Sequence, residues 1–151
     1  MKRFLMVVGT LTVVVVGGVA LGLVLYAPEG RRLDASSRDY ASHVVETAMK
    51  DWDASALRAE SSEELLASAP EDKVARMLGA FSTRLGPIRT HAAPQGESHL
   101  SMVPFKKVVT ADYIVPVTFE KAEGRIKLRL VQKQGEWKLL SVYVDSPALL
   151  P

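Results

Sequence analysis

Cysteine is absent from this chain of 151 residues. The absence excludes disulfides, thiolate metal sites, a cysteine nucleophile and a lipidated N-terminal cysteine. Acidic residues are absent from the first 28 positions, where the only charged side chains are those of Lys2 and Arg3. Removing these two from the 19 basic residues leaves 17, against 17 acidic residues, so the rest of the chain has no formal net charge. We therefore disfavour nucleic acid as a partner, because proteins that bind it carry clustered positive charge.

Charged residues are also missing from Phe4 to Tyr26, a run of 23 residues rich in valine, leucine and glycine. As an α-helix this run would be ~35 Å long, enough to cross a hydrocarbon core of ~30 Å. It is longer than the ~7–15 apolar residues of a cleaved signal peptide, and no good small-x-small cleavage site ends it. We therefore predict an uncleaved membrane anchor over residues 1–27, which contacts the lipid bilayer through residues 4–26.

Two glycines in this run, Gly18 and Gly22, have the small-xxx-small spacing that lets two membrane helices approach closely. We name them as candidate positions for helix packing, beside the simpler interpretation that glycine is common in such spans. The basic residues at positions 2–3, together with the α-amino group, slightly outweigh those at positions 31–32, which acidic neighbours dilute. This bias predicts that the N-terminus stays in the cytoplasm and that the domain lies outside it.

After a linker over residues 28–35, the sequence predicts helices first. Between positions 34 and 53 the apolar residues recur at the three- and four-residue spacing of a helix with one buried stripe. The stripe consists of Tyr40, Val44, Val45, Ala48, Met49 and Trp52. Two short helical segments follow, and a longer helix that begins after Pro70 ends at Gly86-Pro87.

Strands are predicted for the remainder of the chain. Period-two alternation between Asp112 and Ser146 indicates three antiparallel strands, separated by the glycine-bearing connections Glu123-Gly124 and Gln134-Gly135-Glu136. Two further candidate strands precede them, over residues 88–91 and 100–109. In the last strand, alternation places four side chains on one face. They are Trp137, Leu139, Ser141 and Tyr143.

This succession resembles the cystatin-like α+β cone of the nuclear transport factor two-like superfamily. The resemblance covers about residues 34 to 146, and its most characteristic part is the strand over residues 137–142, Trp-Lys-Leu-Leu-Ser-Val, which follows a Gly-Glu turn. It implies a curved sheet of four to five strands wrapped around a long first helix, often with an apolar pocket at the open end. The superfamily includes isomerases and dehydratases, but also binding and assembly domains, some of them single-pass membrane subunits. Fold therefore constrains function weakly.

The candidate pocket residues are a serine and three tyrosines, namely Tyr40, Tyr113, Ser141 and Tyr143. The alternative interpretation is that each buried tyrosine only satisfies its own hydroxyl locally. Enzymes of the superfamily place an aspartate or histidine beside a tyrosine, and no such set can be assigned to this chain. The spacing of His91, Glu97 and His99 fits no established ligand pattern. We predict no catalytic residue, no metal site and no cofactor.

The predicted fold class is therefore α+β: an N-terminal transmembrane helix, then a cystatin-like domain over residues 36–146 and a tail over residues 147–151. The expected function is that of a membrane-anchored, non-catalytic binding or assembly domain on the extracytoplasmic side. It would act through contacts with a protein partner or in a homodimer. The alternative is a small-molecule pocket protein, or an isomerase-like enzyme, with an apolar pocket.

Overall fold

The structure is a computed structural model that describes residues 29–151. The chain divides after Leu33 into two compact units, and the fold described below is that of the second unit, Asp34–Pro151. The predicted membrane anchor over residues 1–27 lies outside the described residues, as do the candidate packing positions Gly18 and Gly22.

Helices form the first half of the described chain. Within this unit, helix α1 covers residues 34–44 and continues as a π-helical turn, Val45–Met49, whose buried residues belong to the predicted apolar stripe. Helices α2 and α3 are short, and a side chain caps the N-terminus of each. The carboxylate of Asp53 accepts hydrogen bonds from two backbone amides of α2, and the hydroxyl of Ser62 accepts one from α3. The bounds are Ala54–Glu60 for α2, Glu63–Ser68 for α3 and Glu71–Leu85 for α4.

The second half is an antiparallel sheet of five strands in the order β1-β3-β4-β5, with β2 also paired to β3. Strand β3 is long enough for β1 and β2 to share one of its edges while β4 occupies the other. The bounds are Ile88–His91 for β1, Gln95–Val103 for β2, Lys106–Phe119 for β3, Glu123–Lys133 for β4 and Glu136–Asp145 for β5. A 3₁₀ turn, Pro147–Leu149, follows. The helices pack on one face of this curved sheet.

The core lies between that inner face and the helices. The predicted alternation in β4 is confirmed, because the residues at positions 126, 128 and 130 are buried and those between them are exposed. The inner residues of β3 are buried in the same way from Val109 to Phe119. On the helical side, the core is formed by the apolar stripe of α1 and by the π-helical turn that follows it. The fully buried residues there are Ala41, Val44, Val45 and Ala48, with Met49 almost as buried.

Trp52 joins the end of the first helical segment to α4 and the sheet. Its backbone has φ 56°, a left-handed conformation that reverses the chain after the π-helical turn. Its indole N–H donates to the carbonyl of Gly86 at 2.7 Å. The ring stacks on Phe119 at 5.7 Å and lies tilted against Phe81 at 5.3 Å, measured between centroids. The contacts that Trp52 makes with Phe81 and Phe119 hold α4 against the sheet.

Two strand predictions need correction. The segment 100–109 is not one strand, because Pro104 and Phe105 form a turn between β2 and β3. In β5, a register shift opposite Arg129 and Leu130 inserts one extra residue, Leu140. After this bulge the alternation reverses, so Trp137 and Leu139 point into the core while the side chains at positions 141 and 143 point to solvent. The prediction that all four share one face is wrong for this reason.

The predicted fold class is wrong in its transmembrane helix. Within residues 29–151, no helix is long and apolar enough to cross a membrane. Helix α4, with 15 residues, would span ~22 Å against a hydrocarbon core of ~30 Å, and it carries charged residues along its length. The described chain is an α+β fold of helices on a five-stranded antiparallel sheet.

Candidate functional site

Two of the four candidate pocket residues, Tyr40 on α1 and Tyr113 on the inner face of β3, each have a hydrogen-bond partner within the domain. The hydroxyl of Tyr40, on α1, donates to the carboxylate of Glu60 at 2.6 Å. Burial raises the pKa of Tyr40 strongly, and the hydrogen bond and negative charge of Glu60 raise it further. The hydroxyl of Tyr113 lies 2.7 Å from that of Ser37 and donates to the carbonyl of Asp34 at 3.1 Å. Burial raises the pKa of Tyr113 as well.

The outer, solvent-facing side of the sheet holds the other two, Ser141 and Tyr143, because the bulge at Leu140 turns them outward. The Tyr143 side chain is 61% exposed, and the ammonium of Lys127 lies 5.4 Å from its ring centroid. The side chains of Ser141 and Tyr143 therefore point away from the inner face that holds the Tyr113 side chain, although Tyr113, Ser141 and Tyr143 all line one groove on the outer face. Tyr40 is not among the residues that line this groove.

A shallow groove of about 600 Å³ runs across this outer face. Its floor carries an ion pair between Arg129 and Asp112, with Nε 2.7 Å from the carboxylate oxygen, and His99 stands 3.8 Å from the same carboxylate. Its hydrogen bond to Asp112 raises the pKa of Arg129. Exposed pairs of this kind contribute little to stability. In the part of the chain that the structure describes, no group of three acidic or histidine side chains is arranged to hold a metal ion.

A second concave surface lies among helices α2, α3 and α4 and is mainly apolar. This helix groove has a volume of about 270 Å³, just below the ~300–1,000 Å³ typical of ligand pockets. The ion pair between Arg58 and Glu71, with 2.5 Å between the nitrogen and oxygen, stands at its edge. Its apolar lining consists of Ala54, Leu57, Leu65, Leu66, Ala69, Val74, Met77 and Val142.

The most exposed apolar residues of the described chain lie elsewhere, on the hairpin formed by β2 and β3. The first residue of β3 that pairs with β4 is Val109, so the hairpin residues before it extend past the neighbouring strand. We call residues 99–108 the arm. Met102 is 77% exposed and Phe105 fully exposed, and Leu100 and Val103 are also exposed. A cluster of large apolar side chains in contact with water is typical of an interaction site.

The turn of the arm has an unusual backbone. Phe105 has φ 65°, in the left-handed region that glycine and asparagine adopt more readily. A non-glycine residue there costs roughly 1–2 kcal/mol. Because Phe105 is fully exposed, no packing within the described chain offsets this cost. Backbone strain that no packing within the chain offsets is typical of residues at functional sites.

One edge of β2 is open along the arm. Within residues 29–151, β2 pairs with no strand other than β3. Nearer its start, the edge is covered at Ser98, whose amide and hydroxyl both donate to the carboxylate of Asp34, at 2.8 and 2.5 Å. These hydrogen bonds lower the pKa of Asp34. Beyond Ser98, the arm combines an unpaired strand edge with exposed apolar side chains.

Sequence reasoning missed the arm because it read residues 100–109 as a single strand. The available signal was Pro104, which cannot donate to a sheet and favours the second position of a turn. Comparison with protein-family models, curated proteins and solved structures found no match for this chain.

Proposed function

We propose that the domain binds another protein through the arm, by accepting a strand of its partner on the open edge of β2. The observation that carries the proposal is the coincidence of exposed apolar side chains with an unpaired strand edge on one hairpin. In strand addition, main-chain hydrogen bonds provide affinity, and the alternating side chains provide specificity.

The sequence of β2 supports this proposal. Soluble proteins protect exposed edge strands with lysine, proline or a bulge, which prevent unwanted pairing. Strand β2 reads Gln-Gly-Glu-Ser-His-Leu-Ser-Met-Val, with neither lysine nor proline, and it pairs with β3 without a register shift. An unprotected edge of this length is expected to be covered by a partner.

The fold supports a binding role by analogy. Helices packed on a curved antiparallel sheet are compatible with the cystatin-like fold of the nuclear transport factor two-like superfamily, and we propose that the domain belongs there. Many domains of that superfamily bind or assemble rather than catalyse. We further propose that the domain works outside the cytoplasm, on the basis of the charge distribution around the apolar run of the first 28 residues.

In vivo photo-crosslinking tests the proposal on the full chain. A benzophenone amino acid placed at Met102 or at Phe105 should give a protein adduct of defined mass in the native host. The matched control is Ala80, which is exposed on α4, away from the hairpin; it should give no such adduct. The proposal fails if the arm positions yield only lipid adducts, no adduct, or the same adducts as Ala80.

Small-molecule binding is the second candidate function, and the helix groove is the observation that favours it. An apolar fluorescent probe should bind the full chain and lose most of its affinity in Met77→Trp, because the larger ring would fill the groove. Met102→Trp, which changes the arm, serves as the control and should bind the probe unchanged. Equal affinity for both variants would remove this candidate.

A further inference from the structure

We propose that the partner on the open edge is a second copy of this chain, with the two β2 strands paired antiparallel about a two-fold axis at Ser101. The inference rests on the proposed function, because it uses the same edge. It would join two five-stranded sheets into one continuous sheet of ten strands.

The backbone determines the register. Because the Ser98 amide donates to Asp34, it does not bond to β3 and must point to the open edge. Hydrogen-bonding direction alternates along a strand, so the N–H and C=O groups of Leu100 and Met102 also point outward. The amide of Ser98 is already bonded to Asp34. Leu100 and Met102 therefore carry the outward-pointing N–H and C=O groups on the strand portion of the arm. In two antiparallel copies, these N–H and C=O groups bond to one another when Leu100 of each copy lies opposite Met102 of the other.

The side chains agree with this register. On one face, Leu100 of each copy would lie beside Met102 of the other, and both are exposed in the single chain. On the opposite face, Ser101 would meet its own symmetry mate, and His99 would lie beside Val103. Directly opposed apolar residues stabilise an antiparallel pair of strands. A self-complementary patch of this kind is what a two-fold interface requires.

The charges favour an antiparallel arrangement of identical strands. The turn end of the arm is basic, with Lys106 and Lys107, while the start of the strand carries Glu97 and the carboxylate of Asp34. Antiparallel pairing places the basic end of each copy near the acidic start of the other. A parallel arrangement would bring the two basic ends together and would be opposed by like-charge repulsion.

Cysteine scanning tests the register, and the absence of native cysteine makes each introduced thiol unique. Ser101→Cys in the full chain in mild detergent should form a disulfide-linked dimer on gentle oxidation, since opposed residues of such a pair have Cβ atoms about 4.5–5.5 Å apart. His99→Cys alone lies on the same face but off the axis and should form far less dimer. Mixing His99→Cys with Val103→Cys should restore cross-linking.

A proline substitution tests the backbone contribution. Met102→Pro removes an outward amide that β3 does not use, so it should abolish the cross-link when combined with Ser101→Cys. Val103→Ala, also in the arm, keeps every amide and should leave the cross-link in place.

The outcomes separate the two proposals. Cross-linking at position 101 alone and in the mixed pair supports the inference. Equal cross-linking at positions 99 and 101, or none at 101, overturns it. If the photo-crosslinked adducts at Met102 and Phe105 then contain a different protein, the proposed binding function stands without the second copy. Adducts with lipid only would remove both proposals.

Discussion

At the scale of single residues, the hydroxyl of Tyr113 offers a direct measurement of a buried polar contact. Its partners, the Ser37 hydroxyl and the Asp34 carbonyl, lie on α1, so the group ties this helix to the centre of β3. Tyr113→Phe should lower the free energy of unfolding by about 1–2 kcal/mol, because it removes the buried hydrogen bonds of this hydroxyl and leaves the Ser37 hydroxyl and the Asp34 carbonyl only their 3.2 Å bond to each other. Urea denaturation of the full chain measures this change.

Tyr143→Phe is the matched control for that substitution. The Tyr143 side chain is largely exposed, so loss of its hydroxyl should change the free energy of unfolding by less than about 0.5 kcal/mol. Equal losses in the two variants would contradict the assignment of Tyr113 to the inner face and Tyr143 to the outer face.

The carboxylate of Asp34 predicts a pH-dependent contribution to stability. Its pKa is lowered in the folded chain, chiefly by the hydrogen bond from the Ser98 hydroxyl. A carboxyl group whose pKa is lowered in the folded chain stabilises the fold fully when the pH is above its pKa in the unfolded chain. This contribution is lost as the pH falls through the pKa of the folded chain. The stability difference between the native chain and Asp34→Asn should therefore be present near neutral pH and shrink below about pH 4. A difference that stays constant on acidification would contradict this account.

At the scale of secondary-structure elements, Trp137 connects the last strand to the first helix. It is buried on the inner face of β5, and its indole N–H donates to the hydroxyl of Ser36 at 3.0 Å. Trp137→Ala should lower the free energy of unfolding by about 3–5 kcal/mol, as a large deletion from the core. Trp137→Phe keeps most of the apolar contact, so thermal unfolding of both variants separates packing from the hydrogen bond. An unchanged melting temperature for Trp137→Ala would show that the strand faces the other way.

The sequence predicted these elements correctly where a single local pattern, such as alternation within one strand or a glycine-bearing turn, determined the structure. In β4, strict alternation gave the buried residues correctly. The connection predicted at Gln134-Gly135-Glu136 is a tight turn of two residues, Gln134 and Gly135, both with positive φ, since Glu136 already belongs to β5. In β5, the bulge at Leu140 follows from pairing with Arg129 and Leu130 and cannot be read from alternation. The exposure of the arm depends on where β4 ends relative to β3, which is a property of register between strands.

The candidate site was harder to predict than the fold. The hydroxyls of Tyr40 and Tyr113 bond to partners that are distant in sequence, Glu60 and Ser37. Neither pairing leaves a local sequence signal. The bulge turns the side chains of Ser141 and Tyr143 to the outer face, where these two residues line a groove with Tyr113 but without Tyr40.

At the scale of the whole molecule, the location of the domain outside the cytoplasm stays a prediction of the sequence. Lys2 and Arg3 precede the apolar run without acidic neighbours, whereas Glu29 and Asp34 dilute the basic residues that follow it. A reporter that is active only outside the cytoplasm, fused after Pro151, should therefore be active.

Two checks accompany the reporter fusion. Two lysines inserted after Pro28 should reduce its activity by opposing the charge bias. A reporter that works only in the cytoplasm, fused at the same position, should be inactive; activity of this second fusion alone would refute the predicted location.

The contact between Ser36 and Trp137 joins residues 101 positions apart, and this separation has a consequence for synthesis. At roughly 5–20 residues per second, a ribosome needs about 5–20 s to make the chain between them. During that interval the apolar stripe of α1 has been made but the strand that covers it has not. Until the last strand is translated, the contact of Trp137 with α1 is missing, which leaves this part of the helix open to chaperone binding.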